Sequence, residues 1–270
     1  MEKLTADEAR VQIWEKLRKV ARPDSRFAWN FAEFITDYEG SDQCAYLLTQ
    51  TDVYKESKVV FITPDNNLEK LREIAFLDRK TVVMTNYGIT RGFFLIEPGM
   101  IPAGKEDLAS LLDGIDRYWK MQTLDELKVS IGHIDMMVTG ASAITPGGLR
   151  FGKGHGYFDL EWAMTYTKGL VDESTVVFGV GHDCQVVDVD VVARAYDTAI
   201  DYIVTNTRVI QTRHNRLTAL CDLQSQQLCI RSIICSNIRA RRQLLRQQHL
   251  ARLRLDDQQI LQKAFSLPHR

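Results

Sequence analysis

The sequence predicts an α/β fold built on a doubly wound, mostly parallel sheet, and three observations carry that prediction. Five short runs rich in β-branched residues recur along the chain, helical patterns separate them, and a cluster of glycines falls where one strand gives way to a helix. Strand alternating with helix implies parallel crossovers. In such sheets ligands sit at the carboxyl ends of the strands.

The strand candidates are KVVFIT (58–63), TVVMTN (81–86), IDMMVTG (134–140), TVVFGV (175–180) and IDYIVTN (200–206). They are near-continuous apolar runs rather than alternating ones, the pattern of strands covered on both faces. Helical patterns lie between them. ADEARVQIWEKLRKVA (6–21) comes first, and SDQCAYLLTQTDVY (41–54) follows with Ser41 as the expected N-cap. DNNLEKLREIAFLDRK (65–80) stands directly after a strand and Pro64, with Asp65 or Asn66 as cap. KEDLASLLDGIDRYW (105–119) and YFDLEWAMTYTKGL (157–170) complete the set.

Five of the 16 glycines fall between Gly147 and Gly156, in GGLRFGKGHGYFD (147–159). Two readings stand: a mobile surface loop, or a backbone cradle for an anion. Glycines at 152, 154 and 156 would let the backbone approach a ligand and turn its N–H groups inward. A helix starting at Tyr157 would add its unsatisfied amides and positive dipole end. Arg150 and Lys153 supply charge, and Asp159 supplies hard oxygen for Mg²⁺, which nucleotide phosphates bring. The pattern is neither a Walker A loop nor a Rossmann fingerprint.

Composition bounds the rest. At 270 residues and 45% hydrophobic, the chain can bury one substantial core. A net charge of −1 argues against a protein dominated by attraction to nucleic acid or membrane. Residues 211–270, however, hold ten arginines and one lysine against three aspartates, a net of +8 that leaves −9 for residues 1–210. The five cysteines are odd in number and contain no CxxC pair, which suggests neither a disulfide framework nor a zinc site. The N-terminal stretch has no apolar signal region, and no apolar run reaches the ~18 residues of a membrane span. A cytoplasmic protein is expected. From Arg213 onward the chain has no glycine and is rich in Leu, Ile, Gln and Arg. We therefore expect an α/β domain over 1–212 and a basic helical extension over 213–270. The extension reads as a solvated tail, as sequence from an altered reading frame, or as a segment binding nucleic acid or an acidic partner.

RFGKGHGYFDLEW resembles the R-x-G-x-G-x-G-Y-[YF]-D signature of the 5-formyltetrahydrofolate cyclo-ligase (methenyltetrahydrofolate synthetase) family. VVFGVGHDCQVVD (176–188) followed by YDTAIDYIVTNTRVI (196–210) resembles the family's G-V-x-x-D-x-Q-x-V-D and its later H-D-x-x-V-D-x-[IV]-[VL]-T. The words HDCQVVD and GKGHGYFDLEWAM resemble most the divergent branch called methenyltetrahydrofolate synthase domain-containing proteins. The resemblance covers about residues 8–210 and is specific over 147–210. It implies the cyclo-ligase fold, related in architecture to sugar-phosphate isomerases and coenzyme A transferases.

It also implies an enzyme that uses MgATP to convert 5-formyltetrahydrofolate to 5,10-methenyltetrahydrofolate, with ATP and Mg²⁺ as cofactors and a reduced folate as substrate. The formyl oxygen attacks the γ-phosphate, N10 attacks the activated carbon, and phosphate leaves. Such chemistry rests on positioning and charge neutralisation. By position, Arg10, Arg150, Gly152, Lys153, Gly154, His155, Gly156 and Tyr157 would line the phosphates. Arg150 and Lys153 would carry catalysis, and Asp159 and Asp197 would be the metal ligands. Read without the family, Asp197 is an ordinary turn or cap residue.

Some positions depart from the family. Thr5 and Ala6 stand where a lysine precedes Arg10, with Lys16 and Lys19 further on. TPDNNLEK has Asn66 and Asn67 where a glutamate contacts folate, with Glu69 displaced. TGASAIT (139–145) replaces P-G-x-A-F-D. The nucleotide half is matched better than the folate half, so the alternative is a catalytically weak or inactive member serving as a nucleotide- or RNA-binding or interaction module. Elsewhere, His182 beside Asp183, Cys184 and Gln185 at a strand end reads as structural or substrate-contacting support. Asn86, Tyr87 and Arg91 form either a ligand wall or an ordinary turn. TRHNR (212–216) is a solvated strand exit or a phosphate contact.

Overall fold

The structure is a computed structural model, and it describes residues 6–89, 91–188 and 197–213. These residues belong to one unit. The basic extension beyond Arg213 and most of TRHNR lie outside the described residues. Among the described residues, no helix is long and apolar enough to cross a membrane.

In chain order the elements are α1 (Ala6–Leu17), α2 (Ser41–Thr49), α3 (Asp52–Glu56), β1 (Val59–Ile62), α4 (Glu69–Leu77), β2 (Thr81–Thr85) and β3 (Phe93–Ile96). There follow α5 (Glu106–Ser110), α6 (Ile115–Tyr118), β4 (Lys120–Gln122), α7 (Leu124–Ile131), β5 (Met136–Gly140), β6 (Ala143–Ile144) and β7 (Arg150–Phe151). The last are α8 (Tyr157–Thr167), β8 (Val176–Val180), β9 (Tyr202–Val204) and β10 (Val209–Gln211).

Eight strands form one sheet in the order β10-β9-β8-β5-β1-β2-β3-β4. The five central strands, β9 to β2, pair in parallel, and the edges β3, β4 and β10 pair antiparallel. The predicted fold class is observed, and each of the five strand candidates contains a central strand. Alternate residues of these strands serve the two faces, as the two-residue period requires. Val60, Ile62, Val82, Met84, Met136 and Val138 pack with Cys44 and Leu48 of α2 and Leu71 and Ala75 of α4. Phe61, Val83, Met137 and Val177 pack on the other face with Leu127 of α7 and Phe158 of α8.

Several local expectations are corrected. Ser41 is not the cap of α2: Gly40 is, at φ +84°, where a Cβ would come within 2.9 Å of the Asn206 Cβ. The pattern over 41–54 breaks at Gln50, and Thr51 caps a second helix by accepting the Tyr54 N–H at 3.3 Å. Neither Asp65 nor Asn66 caps 65–80 with its side chain; a short 3-10 turn over Asn66–Leu68 precedes α4. The pattern over 105–119 divides where Leu111 turns extended. His182 stands just past the end of β8, as expected, and caps a 3-10 turn over Asp183–Gln185.

Candidate functional site

The glycine stretch serves two purposes. β6 and β7 form an antiparallel hairpin, Ala143 facing Phe151 and Ile144 facing Arg150. Its turn is closed by Leu149 C=O accepting the Thr145 N–H at 2.9 Å, with Gly148 at φ +85°. Gly147 and Gly148 thus belong to the hairpin. Gly152 to Gly156 form the crossing into α8, with Gly154 at φ +105° and Gly156, the N-cap, at φ +67°. Backbone at such angles favours glycine.

Cations gather around this crossing. Arg10, brought in by α1 and 8% exposed, donates its Nε–H to the Gly152 carbonyl at 2.7 Å. The Arg150 Nε–H is donated to the Gly140 carbonyl at 2.9 Å, and its guanidinium lies 5.1 Å from the Phe158 ring centroid. A Cβ at residue 152 would stand 2.9 Å from Arg150 Nη2, so Gly152 leaves room for that side chain. Lys153 Nζ is 5.5 Å from the Tyr157 ring centroid. Burial pushes the Lys153 ammonium below the ordinary lysine range, and Asp65 is the foremost charge opposing that shift. His155 lies 5.5 Å from Tyr157, ring to ring. Burial, then Lys153, holds its imidazole below the usual histidine range, and its Nδ1 is buried without a hydrogen-bond partner.

The acids lie beside and beneath. Asp159, on the first turn of α8, accepts the Thr198 N–H at 2.9 Å, which brings the segment starting at Asp197 alongside it. Burial raises the Asp159 carboxyl, with Arg150 the chief opposing charge. Asp197 is half-buried. Glu161 is 2% exposed and accepts a short hydrogen bond from Thr85 Oγ1 at the end of β2. Burial pushes its carboxyl up to about 8.

At the end of β1, Asp65 accepts from Thr63 Oγ1 at 2.5 Å and from the Gly140 N–H at 2.9 Å. Asn66 donates to Asp24 at 2.6 Å, and Asn67 donates to the Val180 carbonyl at 3.3 Å. Arg72, fully buried, braces this turn by donating to the carbonyls of Thr63 and Asp65 at 2.8 and 3.1 Å.

The ten site residues expected from the sequence thus divide cleanly. Arg10, Arg150, Gly152, Lys153, Gly154, His155, Gly156, Tyr157 and Asp159 meet at the crossing or the first turn of α8, and Asp197 follows through the Thr198 contact. Lys16 and Lys19 are exposed. His182 accepts the Cys184 N–H at 3.1 Å and packs edge-on against Tyr38, a supporting role. Asn86 accepts the Arg91 N–H at 2.9 Å, the bond of a turn around Gly88. Asp65, Glu161 and Gly140 were not singled out as site residues by sequence reasoning. The signals were present in TPD after a strand and in TG before the hairpin.

The family model of the 5-formyltetrahydrofolate cyclo-ligase family matches residues 3–206. The chain belongs to this family. Methenyltetrahydrofolate synthase domain-containing proteins resemble it along most of that length. The Danio rerio protein is 35% identical over 181 residues, 66% of this chain and 46% of the relative. The Homo sapiens protein is 31% identical over 214 residues, 77% of this chain and 54% of the relative. This cyclo-ligase family member therefore spans about half the length of those relatives. Among solved structures, the Aquifex aeolicus 5,10-methenyltetrahydrofolate synthetase is 18% identical with a TM-score of 0.47, covering 78% of this chain and 94% of that one. A 5,10-methenyltetrahydrofolate synthetase from Mycoplasma pneumoniae is 12% identical with a TM-score of 0.45, covering 74% and 98%.

Proposed function

We propose that this chain is an ATP- and Mg²⁺-dependent cyclo-ligase that converts 5-formyltetrahydrofolate, or a closely related reduced folate, to the 5,10-methenyl form. The observation that carries the reading is the Arg10–Gly152 bond, which joins the first helix to the glycine crossing and brings a third cationic side chain to it. The residues suit a polyphosphate. Two glycines hold left-handed backbone beside the start of α8, His155 Nδ1 is a buried polar atom without a partner, and three cationic side chains converge there. They suit Mg²⁺ as well. A buried carboxylate whose burial cost its neighbours only partly offset gains from a divalent cation, and Mg²⁺ needs one or two carboxylates besides phosphate and water.

In this reading Asp159 and Asp197 hold the metal, which when bound neutralises charge on the phosphate oxygens. Gly154, Gly156 and Tyr157 offer backbone N–H groups to the phosphates. Arg10 braces the crossing through the Gly152 carbonyl. Arg150 and Lys153 face the charge that develops as the γ-phosphoryl group moves to the formyl oxygen, and they act by position rather than by exchanging protons. Incubating 5-formyltetrahydrofolate with MgATP and following the methenyl product tests the assignment. Product that requires both ATP and Mg²⁺ is expected; its absence with every reduced formyl folate tried would contradict it.

A further inference from the structure

Beneath the cations lies a connection that the phosphate cradle does not by itself require. The Asp65 carboxylate accepts the Gly140 N–H at 2.9 Å, and the carbonyl of the same Gly140 accepts the Arg150 Nε–H at 2.9 Å. A carboxylate on the turn after β1 is thus linked, through one residue at the end of β5, to the arginine at the start of the glycine crossing. The approach depends on glycine: a Cβ at residue 140 would stand 2.7 Å from Asn67 Oδ1, 2.8 Å from Ile35 Cγ2 and 3.0 Å from Asp65 Oδ2. Asp65 is itself held. It is 7% exposed, Thr63 Oγ1 donates to it at 2.5 Å, and Arg72 fixes its carbonyl. Charge-assisted bonds to a carboxylate are about twice as strong as neutral ones, and a low-dielectric setting strengthens them further.

The carboxylate also acts on Lys153 as the leading opposite charge.

We propose that Asp65 is a positioning residue for the cyclo-ligase reaction, fixing Arg150 through Gly140. The proposal rests on the functional reading above, because Arg150 matters to turnover only if phosphoryl transfer occurs here. Asp65 acts through these neighbours and not by contact with substrate.

The test uses the full chain and two substitutions. Asp65→Ala removes the acceptor; Asp65→Asn keeps an oxygen for the Gly140 N–H but removes the charge. The Arg150 Nε–H resonance, assigned by its loss in Arg150→Lys, reports the position of the guanidinium without any ligand. We expect its exchange with solvent to quicken by about tenfold or more in Asp65→Ala, the order of one charge-assisted hydrogen bond, and by less in Asp65→Asn. Turnover should fall in the same order, with KM for ATP changing less than kcat. Should Asp65→Ala fail to show a thermal transition, Asp65→Asn carries the test alone. Exchange unchanged in the folded variants overturns the proposal. A parent protein that releases no phosphate contradicts the cyclo-ligase reading instead, and the exchange measurement still decides whether Asp65 holds Arg150.

Discussion

Arg10 and Gly152 are separated by 142 residues and joined by one hydrogen bond of 2.7 Å from the arginine Nε to the glycine carbonyl. A guanidinium buried to that degree is stable only when its donors find acceptors. The bond therefore ties the placement of α1 to the conformation of the glycine crossing, and the consequences can be measured.

The backbone of the crossing is the first target. Gly154→Val should weaken MgATP binding at least tenfold by calorimetry, because a branched side chain at φ +105° forces the loop out of shape. That angle also carries a cost in folding, on the order of 1–3 kcal/mol for a strained non-glycine residue. The melting temperature should fall modestly while the transition stays cooperative. Equal ATP affinity in the variant and the parent would remove the crossing from the site.

Arg150→Ala addresses charge. If Arg150 meets charge that appears during γ-phosphoryl transfer, kcat falls by about 10²–10³ while ATP binding falls less, as with other preorganised donors. An unchanged rate at saturating ATP would place Arg150 outside the reaction centre.

The turn before Phe27 gives a pH prediction. A side-chain hydrogen bond from Arg26 is the main reason the Asp24 carboxyl lies lowered to about 2, with Asn66 contributing. A folded-state value below the unfolded 3.8 means that the contribution to stability is present above about pH 4 and is lost as the pH falls toward 2. The gap in melting temperature between the parent and Asp24→Asn should be open at pH 6 and narrow through that window. A gap independent of pH would show that the charge of Asp24 contributes nothing.

The boundary near residue 212 is a proposal with a direct check. The described strands, the glycine crossing and both proposed metal aspartates precede it, and the family match ends at residue 206. A polypeptide of residues 1–212 should unfold cooperatively and keep its MgATP affinity. Insolubility, or solubility without a thermal transition, would show that the basic extension covers apolar surface of the domain.

The sequence and the structure agree where local signal and burial coincide. The five central strands were legible because strands covered on both faces write themselves as unbroken apolar runs. FFLI at β3 and KMQ at β4 were not, since these edge strands do not follow the strand–helix alternation and are defined by their antiparallel partners. β10, VIQ, is likewise defined by its antiparallel pairing with β9. α7 carries a local signature of its own: Thr123 and Glu126 form a reciprocal capping box.

In the site, the glycines and the cations between them were legible as one cluster, while the division between hairpin turn and cradle required the β6–β7 pairing. Asp65 read as a helix cap because aspartate after a strand commonly is one. Tertiary structure gives its carboxylate to Thr63 and Gly140 instead. Glu161 is one acidic residue in the helical run YFDLEWAMTYTKGL, and only the packing of α8 against Thr85 shows that it is buried.

The most direct test of the account is phosphate release from MgATP by the full chain, measured with and without 5-formyltetrahydrofolate. The account predicts release that is slow alone, rises many-fold with the folate, and is lost when Mg²⁺ is removed. Release that is absent in both arms, or that is indifferent to the folate, would contradict it.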